Sequence, residues 1–103
     1  MAKVAIIAKI TALPGKRDEV VATLSEMVDV VKGEPGTEVY ALNIDKADEN
    51  SVWFYEVYTD EASMAAHGGS EAMKAVGGRL RDKAAGRPEL TLLELVAAKG
   101  VEA

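Results

Sequence analysis

The residues best suited to chemistry lie close together, in the segment formed by residues 51–70. This segment contains the only histidine of the chain, His67, the only tryptophan, Trp53, and a carboxylate, Glu56, within an apolar run. Histidine titrates near neutrality without perturbation, which suits it to general-base catalysis. A carboxylate buried without a partner is strongly unfavourable, so Glu56 requires a hydrogen-bond donor, water or an edge position. We expect any reactive site to involve this segment.

Two roles are open for His67. Thr59, Asp60 and Glu61 supply a capping residue and first-turn acids, which predicts a short helix over residues 60–67 that ends at Gly68. In the last turn of this helix, the His67 ring could cap carbonyl groups and interact favourably with the helix dipole. It could equally act as a general base, and the pattern of residues alone does not decide between these roles.

Glu56 lies in a predicted strand over residues 52–58, which is rich in β-branched and aromatic residues. Side chains alternate along a strand, so its two faces consist of Phe54, Glu56 and Tyr58 on one side and Trp53, Tyr55 and Val57 on the other. If the first face is turned toward the helices, Glu56 and His67 can line one pocket. Glu56 could also accept hydrogen bonds from the backbone or from a tyrosine and only stabilise the fold.

The remaining hydrophobic pattern predicts strands over residues 3–11, 38–44 and 90–96, and helices over residues 16–32 and 71–85. The order strand, helix, strand, strand, helix, strand indicates an α+β, ferredoxin-like βαββαβ fold with a four-stranded antiparallel sheet. Its first and third strands should be central. Gly77 and Gly78 lie inside the last helix, where we expect a kink, an early end, or a close approach to the sheet. We expect a single domain, residues 1–103, with its core at about residues 3–97.

Composition excludes several classes of function. The net charge of −5 and the lack of a long basic cluster argue against nucleic-acid binding. There is no cysteine, hence no disulfide or thiolate metal site, and one histidine is too few for a structural zinc site. The apolar start of the chain is too short for a signal peptide or a membrane span. We therefore expect a cytoplasmic protein without a bound metal.

The helices can cover only one face of such a sheet. The opposite face would present apolar side chains from three strands: Ile7, Trp53, Tyr55, Val57, Leu93 and Leu95. An exposed apolar patch of this size is typical of an interface. We predict a homodimer that packs through the open face of the sheet.

An ordered series of short motifs resembles a known family, the antibiotic biosynthesis monooxygenase domain. The series consists of Pro14-Gly15-Lys16, Glu34-Pro35-Gly36 followed by Tyr40, Tyr55-Glu56-Val57-Tyr58-Thr59-Asp60-Glu61-Ala62, Ala65-Ala66-His67 with Ser70, and Gly86-Arg87-Pro88. It spans residues 4–96. The resemblance implies a dimeric α+β barrel of ferredoxin-like protomers, each with a pocket between sheet and helices. It also implies one of several activities, since some members oxidise quinols or phenolic polyketides without flavin or metal, and others degrade haem or handle signalling molecules.

Departures from the family pattern narrow this choice. The haem-degrading members have an asparagine on the first strand, which is lacking here, and His67 and Gly77 stand at or near the positions of their tryptophan and histidine. Haem degradation is therefore not expected. The polyketide oxygenases favour a tryptophan where this chain has Tyr58 and an asparagine where it has Phe54. An anthrone-type substrate is correspondingly disfavoured.

The resemblance and the residues together favour a cofactor-independent monooxygenase that oxidises a quinol or phenol with O2. In this hypothesis His67 and Glu56 are catalytic, and Phe54, Tyr58 and Tyr40 bind a small aromatic substrate; the tyrosines could instead belong to the core or an interface. No cofactor is required, because an electron-rich anion can reduce oxygen directly in a dry pocket. Two alternatives stay open: a non-catalytic dimer that binds a small molecule, and an isomerase-type acid/base enzyme on the same fold.

Overall fold

The computed structural model describes residues 3–103, and the predicted order of elements is confirmed. The elements are β1 (Val4–Thr11), α1 (Arg17–Val31), β2 (Thr37–Ile44), β3 (Ser51–Tyr58), α2 (Glu61–Gly68), α3 (Glu71–Leu80) and β4 (Glu89–Glu94). The helices α2 and α3 follow each other closely and occupy the place of the second helix in the βαββαβ order.

The four strands form one antiparallel sheet in the order β2-β3-β1-β4. The fold is therefore α+β and ferredoxin-like, with β1 and β3 central as predicted. Ile6 on β1 lies between Glu56 on β3 and Leu92 on β4, and Tyr40 on β2 lies opposite Glu56. This register fixes which side chains share the face that the helices cover.

The core lies between that face and the apolar stripe of α1. Val20, Leu24 and Met27 recur at helical spacing and are almost completely buried, which explains why this segment forms an amphipathic helix. Against them pack alternate residues of the central strands, among them Ile10 and Phe54. Burial of a side chain such as Met27 stabilises the fold by about 1.5 to 3 kcal/mol.

Side chains start both of the shorter helices, as the sequence predicted. The Asp60 carboxylate accepts a hydrogen bond from the Ser63 backbone N–H at 2.8 Å at the start of α2, and the Ser70 hydroxyl accepts one from Met73 N–H at 3.2 Å at the start of α3. Such caps satisfy backbone donors that have no partner inside the helix.

The helix α3 ends at Leu80, five residues before the predicted end at residue 85. The reason is a set of backbone hydrogen bonds to a distant segment: Leu13 N–H donates to Lys83 and Ala85 N–H donates to Thr11, at 2.8 and 2.7 Å. The chain leaves the helix to make these bonds, so the early end has a tertiary cause. Of the three alternatives expected at Gly77 and Gly78, the early end is therefore the one observed. A close approach to the sheet is not, because no atom lies within 4 Å of a Cβ added at either glycine.

The open face of the sheet presents an apolar patch smaller than predicted. Ile7, Tyr55 and Leu93 are 38%, 37% and 40% exposed, as expected for this face. Val57 does not contribute, because it and its β1 neighbour Ala5 are buried within the chain itself. None of the helices in residues 3–103 has the length and apolar character needed to cross a membrane.

Candidate functional site

A cavity of about 1100 Å³ lies between the helix-covered face of the sheet and the helices α2 and α3. Its lining includes every residue that the sequence suggested for a site: Tyr40, Phe54, Glu56, Tyr58 and His67. The volume is ample for a small aromatic molecule, since ligand pockets commonly measure about 300 to 1,000 Å³. Strand parity and the β2–β3 pairing thus bring the proposed site residues together.

The two strands and α2 build an aromatic cluster around His67. The Tyr40 ring lies 4.4 Å from the Phe54 ring and 5.0 Å from the His67 ring, between centroids, and the Tyr58 ring lies 5.5 Å from His67. Centroid distances in this range are typical of favourable aromatic pairs. The ring of His67, only 6% exposed, is therefore fixed over the sheet.

His67 makes its hydrogen bond to a residue that the sequence did not suggest. Its Nδ1 lies 2.9 Å from Oε1 of Glu34, in the turn that follows α1, and the same oxygen accepts a hydrogen bond from Thr37 Oγ1 at 3.0 Å. An ionised carboxylate only accepts, so this bond places the hydrogen of a neutral imidazole on Nδ1. The lone pair is then on Nε2.

The second ring nitrogen of His67 is accessible from the cavity. Nε2 has no hydrogen-bond partner among the described residues. Every side-chain nitrogen or oxygen of these residues that lacks a partner is accessible to solvent, so Nε2 is accessible too. His67 itself lines the cavity. A histidine with Nδ1 held by a carboxylate and Nε2 free is arranged to accept a proton from a bound molecule.

Glu56 is buried beside His67, and its hydrogen-bond partner is Tyr58. The Tyr58 hydroxyl donates to Oε1 of Glu56 in a short hydrogen bond. Burial raises the pKa of Glu56 above its usual value, although the hydrogen bond from Tyr58 and, when the ring is protonated, the positive charge of His67 act in the opposite direction. A direct Glu56–His67 hydrogen bond is not made, so Glu34 orients the imidazole.

The two tyrosines of the site remain protonated. Burial raises the pKa of Tyr40, and the nearby carboxylates of Glu56 and Glu34 add to this effect. The pKa of Tyr58 is raised by burial and by its hydrogen bond to Glu56. Both phenols are therefore hydrogen-bond donors over the whole physiological pH range and do not compete with His67 as bases.

Glu34 was not identified as a site residue, because its turn indicates the end of a helix and otherwise contributes only one motif to the family resemblance. A second signal lies two residues further on. A Cβ at Gly36 would be 2.3 Å from Ser63 Oγ, so only glycine allows the turn to pack this closely on α2. This close approach of Gly36 to Ser63 brings the turn, and with it Glu34, to the helix that carries His67. A glycine that permits such a contact has no local signature that would distinguish it from an ordinary helix stop.

The two sides of the cavity differ in character. We call Tyr40, Glu56, Tyr58 and His67, with Glu34 behind His67, the polar end. On the opposite side Leu90 and Leu92 of β4, both 58% exposed, form what we call the leucine edge. Arg81 and Arg87, from the segment between α3 and β4, also line the cavity. Within residues 3–103, no three His, Cys, Asp or Glu side chains are grouped in a way that could hold a metal ion.

Comparison with known proteins shows which family the chain resembles. The sequence profile of the antibiotic biosynthesis monooxygenases matches residues 3–78. A protein of Caulobacter crescentus CB15 that is provisionally assigned to these monooxygenases is 28% identical in sequence. Its structure superposes with a TM-score of 0.88, covering 93% of this chain and 92% of that one.

Two further structures show the same fold. A protein of Chloroflexus aurantiacus J-10-fl with the same provisional assignment is 26% identical, with a TM-score of 0.81 over 95% of this chain and 97% of that one. A protein of unknown function from Nitrosomonas europaea is 21% identical, with a TM-score of 0.87 over 100% and 98% of the two chains. No curated protein is similar enough to count as a match. Because the profile covers most of the sequence, the chain belongs to the antibiotic biosynthesis monooxygenase family.

Proposed function

We propose that this protein is a cofactor-independent monooxygenase that oxidises a quinol or phenol with O2. The observation that carries the proposal is the pairing of His67 Nδ1 with Glu34 at 2.9 Å, which leaves Nε2 free toward an aromatic-lined cavity. Family membership supports the reaction class but does not specify the substrate.

The first step is proton transfer from a substrate hydroxyl to His67 Nε2. Glu34 holds the neutral imidazole in the tautomer that can accept this proton, and its negative charge stabilises the imidazolium that forms. The apolar walls of the cavity keep water away from the resulting phenolate. Exclusion of water strengthens the electrostatic interactions of the anion with its neighbours and protects the reactive intermediate.

The second step is the reaction of the electron-rich phenolate with oxygen. The anion transfers electrons to O2 and forms a carbon–oxygen bond at a ring carbon that bears hydrogen, which gives a hydroperoxide after protonation by the His67 imidazolium. Loss of water from the hydroperoxide breaks the O–O bond and leaves one oxygen atom as a carbonyl. For a hydroquinone, one O2 is consumed, one oxygen enters the ring, and the other leaves as water.

The other residues of the polar end bind and orient the substrate. Tyr40 is a neutral donor for a developing oxyanion, and Phe54 provides a flat wall next to it. Tyr58 donates its hydroxyl hydrogen to Glu56 and contacts the substrate through its ring. Glu56, whose pKa is raised by burial, is suited to exchange a proton with Tyr58 or with the peroxide oxygen. In this proposal the active species is a homodimer formed through Ile7, Tyr55 and Leu93 on the open face of the sheet.

The experiment is a measurement of oxygen consumption by the EDTA-treated protein against a panel of hydroquinones and polycyclic phenols, corrected for autoxidation. We expect saturable uptake that falls by about 10²- to 10⁴-fold in His67→Ala, the range for loss of a general base. Added imidazole should restore part of the activity of this variant, because it can occupy the space of the lost ring and accept the proton.

The same experiment distinguishes the alternatives. Full turnover by His67→Ala would remove His67 from the mechanism. Tight binding of a panel compound without uptake would favour a non-catalytic binding protein. Conversion of a bound compound to an isomer without oxygen consumption would favour an acid/base isomerase.

A further inference from the structure

The arginines of this chain form two pairs with different surroundings. Arg17 donates to two backbone carbonyls of the β2–β3 turn, and Arg79 forms a two-pronged ion pair with Glu26 on α1, at 3.1 and 2.6 Å. Arg81 and Arg87 make no side-chain hydrogen bond or ion pair within the part of the chain that the structure describes, and both line the large cavity. The first pair is structural, and the second pair is available to a ligand.

Within residues 3–103, Arg81 and Arg87 are exposed cations that keep their charge unpaired in an acidic protein. The chain has 17 acidic residues against 12 basic ones, so carboxylates that could neutralise an arginine are plentiful. The carboxylate nearest to Arg81 in sequence, Asp82, instead lies 3.3 Å from Lys83 Nζ. Arg81 and Arg87 thus give the cavity a positive rim, although the protein carries a net charge of −5.

The positive rim and the polar end lie on different sides of the cavity. Tyr40 belongs to β2 and Leu90 to β4, the two edge strands of the sheet, which are separated by three interstrand spacings, or roughly 14 Å. Arg87 lies three residues before Leu90. Between these sides the walls are apolar and include Ile6, Phe54 and Val76. A ligand that fills the cavity therefore meets a base at one side, apolar walls in the middle and guanidinium groups at the other.

We propose that Arg81 and Arg87 select an elongated aromatic acid, with its phenol at the polar end and a carboxylate at the arginines. The proposal rests on the proposed function for the placement of the phenol. A guanidinium group offers paired N–H donors whose geometry matches a carboxylate, and arginine retains its charge at any physiological pH. The leucine edge then packs on the outer ring of the ligand.

A matched pair of probes tests this selection by binding alone. 4′-Hydroxybiphenyl-4-carboxylic acid and its methyl ester have the same length and phenol, but only the acid is anionic at the far end. We expect isothermal titration calorimetry to show about tenfold tighter binding of the acid to the wild type, a difference of roughly 1.4 kcal/mol. The preference should be lost in the double variant Arg81→Gln/Arg87→Gln and should decrease with added salt.

Arg79→Gln is the matched control, because it removes the same charge from the last turn of α3, two residues before Arg81, without touching the cavity. It should retain the preference for the acid. Equal affinity for the two probes, no binding of either probe, or a preference that survives in the double variant would overturn the proposal. Because binding is measured without turnover, an acid preference without oxygen consumption would sustain this inference and contradict the proposed function. Turnover without an acid preference would do the reverse.

Discussion

The two strands that flank β1 in the sheet, β3 and β4, differ in the burial of their residues. Six of the eight residues of β3 are buried, whereas all six residues of β4 are exposed. Both strands pair with β1 along most of its length, so backbone pairing does not account for the difference. The difference lies in the neighbouring elements. β3 pairs with β2 on its other side and packs against the His67 ring of α2, whereas β4 is an edge strand.

This difference separates what the chain completes by itself from what it leaves for another molecule. Around β3, the buried polar groups have partners within the chain, which is the usual state of a preorganised site. On β4, Leu90 and Leu92 face the cavity, and Leu93 faces the opposite side of the sheet. We infer that a ligand covers the first two and a second copy of the chain covers the third.

The largest predicted effect comes from a comparison of two neighbouring leucines that lie on opposite faces of β4. Leu93→Asp should convert the dimer to monomers, because it would place a charge from each protomer in an apolar interface. Its dimer dissociation constant should rise at least about 100-fold in sedimentation velocity experiments. Leu92→Asp, on the cavity face, should leave the dimer intact and weaken binding of the biphenyl acid. A dimeric Leu93→Asp would move the interface elsewhere.

The fold and most of the element ends could be predicted from local signals, but the end of α3 could not. Hydrophobic periodicity and the Gly- and Pro-containing breaks determine four strands and three helices in order, and that order admits few topologies. The end of α3 depends instead on the bond between Ala85 N–H and Thr11, which are distant in sequence. A helical pattern extended to residue 85 cannot reveal that those backbone groups have a better partner.

The site was predictable to the extent that it depends on strand parity. Alternation places Phe54, Glu56 and Tyr58 on one face. The helix that follows this strand carries the single histidine, so His67 is expected near the same face. The partner of His67 could not be inferred, because Glu34 lies 33 residues away and reaches it through a contact between a turn and α2. Strand parity allows Glu56 to line the same pocket as His67, but it leaves open whether the two side chains meet.

The second prediction concerns this missed partner of His67. Glu34→Ala should lower kcat about 100-fold, or roughly 2.7 kcal/mol in the barrier, because the imidazole loses the group that fixes its tautomer and stabilises its charge. KM should change little, since Glu34 is behind His67. Glu38→Ala is the control, because it removes a nearby carboxylate that pairs with Lys3 and not with His67. An equal loss in both variants would indicate a general charge effect.

The third prediction tests the close packing that carries Glu34 to the polar end. Gly36→Ala should lower the free energy of unfolding by about 1 to 3 kcal/mol, since its Cβ would lie 2.3 Å from Ser63 Oγ and the turn or α2 must move. Activity should fall as well, because the Glu34–His67 distance would lengthen. Urea unfolding and oxygen uptake measure the two effects.

Gly78→Ala is the control for this substitution. Gly78 lies within α3, and no atom is within 4 Å of a Cβ added there. Replacing a helical glycine with alanine should therefore raise stability by roughly 0.5 to 1 kcal/mol. Destabilisation by both substitutions would mean that the effect at Gly36 does not come from its contact with Ser63.

The smallest predicted effect concerns Glu56 and depends on pH. Burial raises the pKa of Glu56 in the folded protein above its usual value of 4.5, so the folded state holds this proton more tightly than the unfolded state. The resulting stability is fully present below about pH 4.5 and is lost as the pH rises through the raised pKa. Glu56→Gln cannot ionise and keeps the Tyr58 hydroxyl as a donor to its side-chain oxygen.

The stability of Glu56→Gln relative to the wild type should therefore increase with pH, by an amount on the order of 1 kcal/mol, typical of a single substitution. Urea unfolding between about pH 4 and pH 8 measures it. Glu26→Gln should show the opposite trend at acidic pH, with the titration extended to about pH 3 for this variant. The hydrogen bond and the charge of Arg79 lower the pKa of Glu26, so the stability that they give is present above about pH 4.5 and is lost as the pH falls through the lowered pKa. If both variants followed the same trend, the pH dependence of stability would not come from the burial of Glu56. The ionised Glu56 carboxylate would then have to be accommodated at the polar end without a loss of stability.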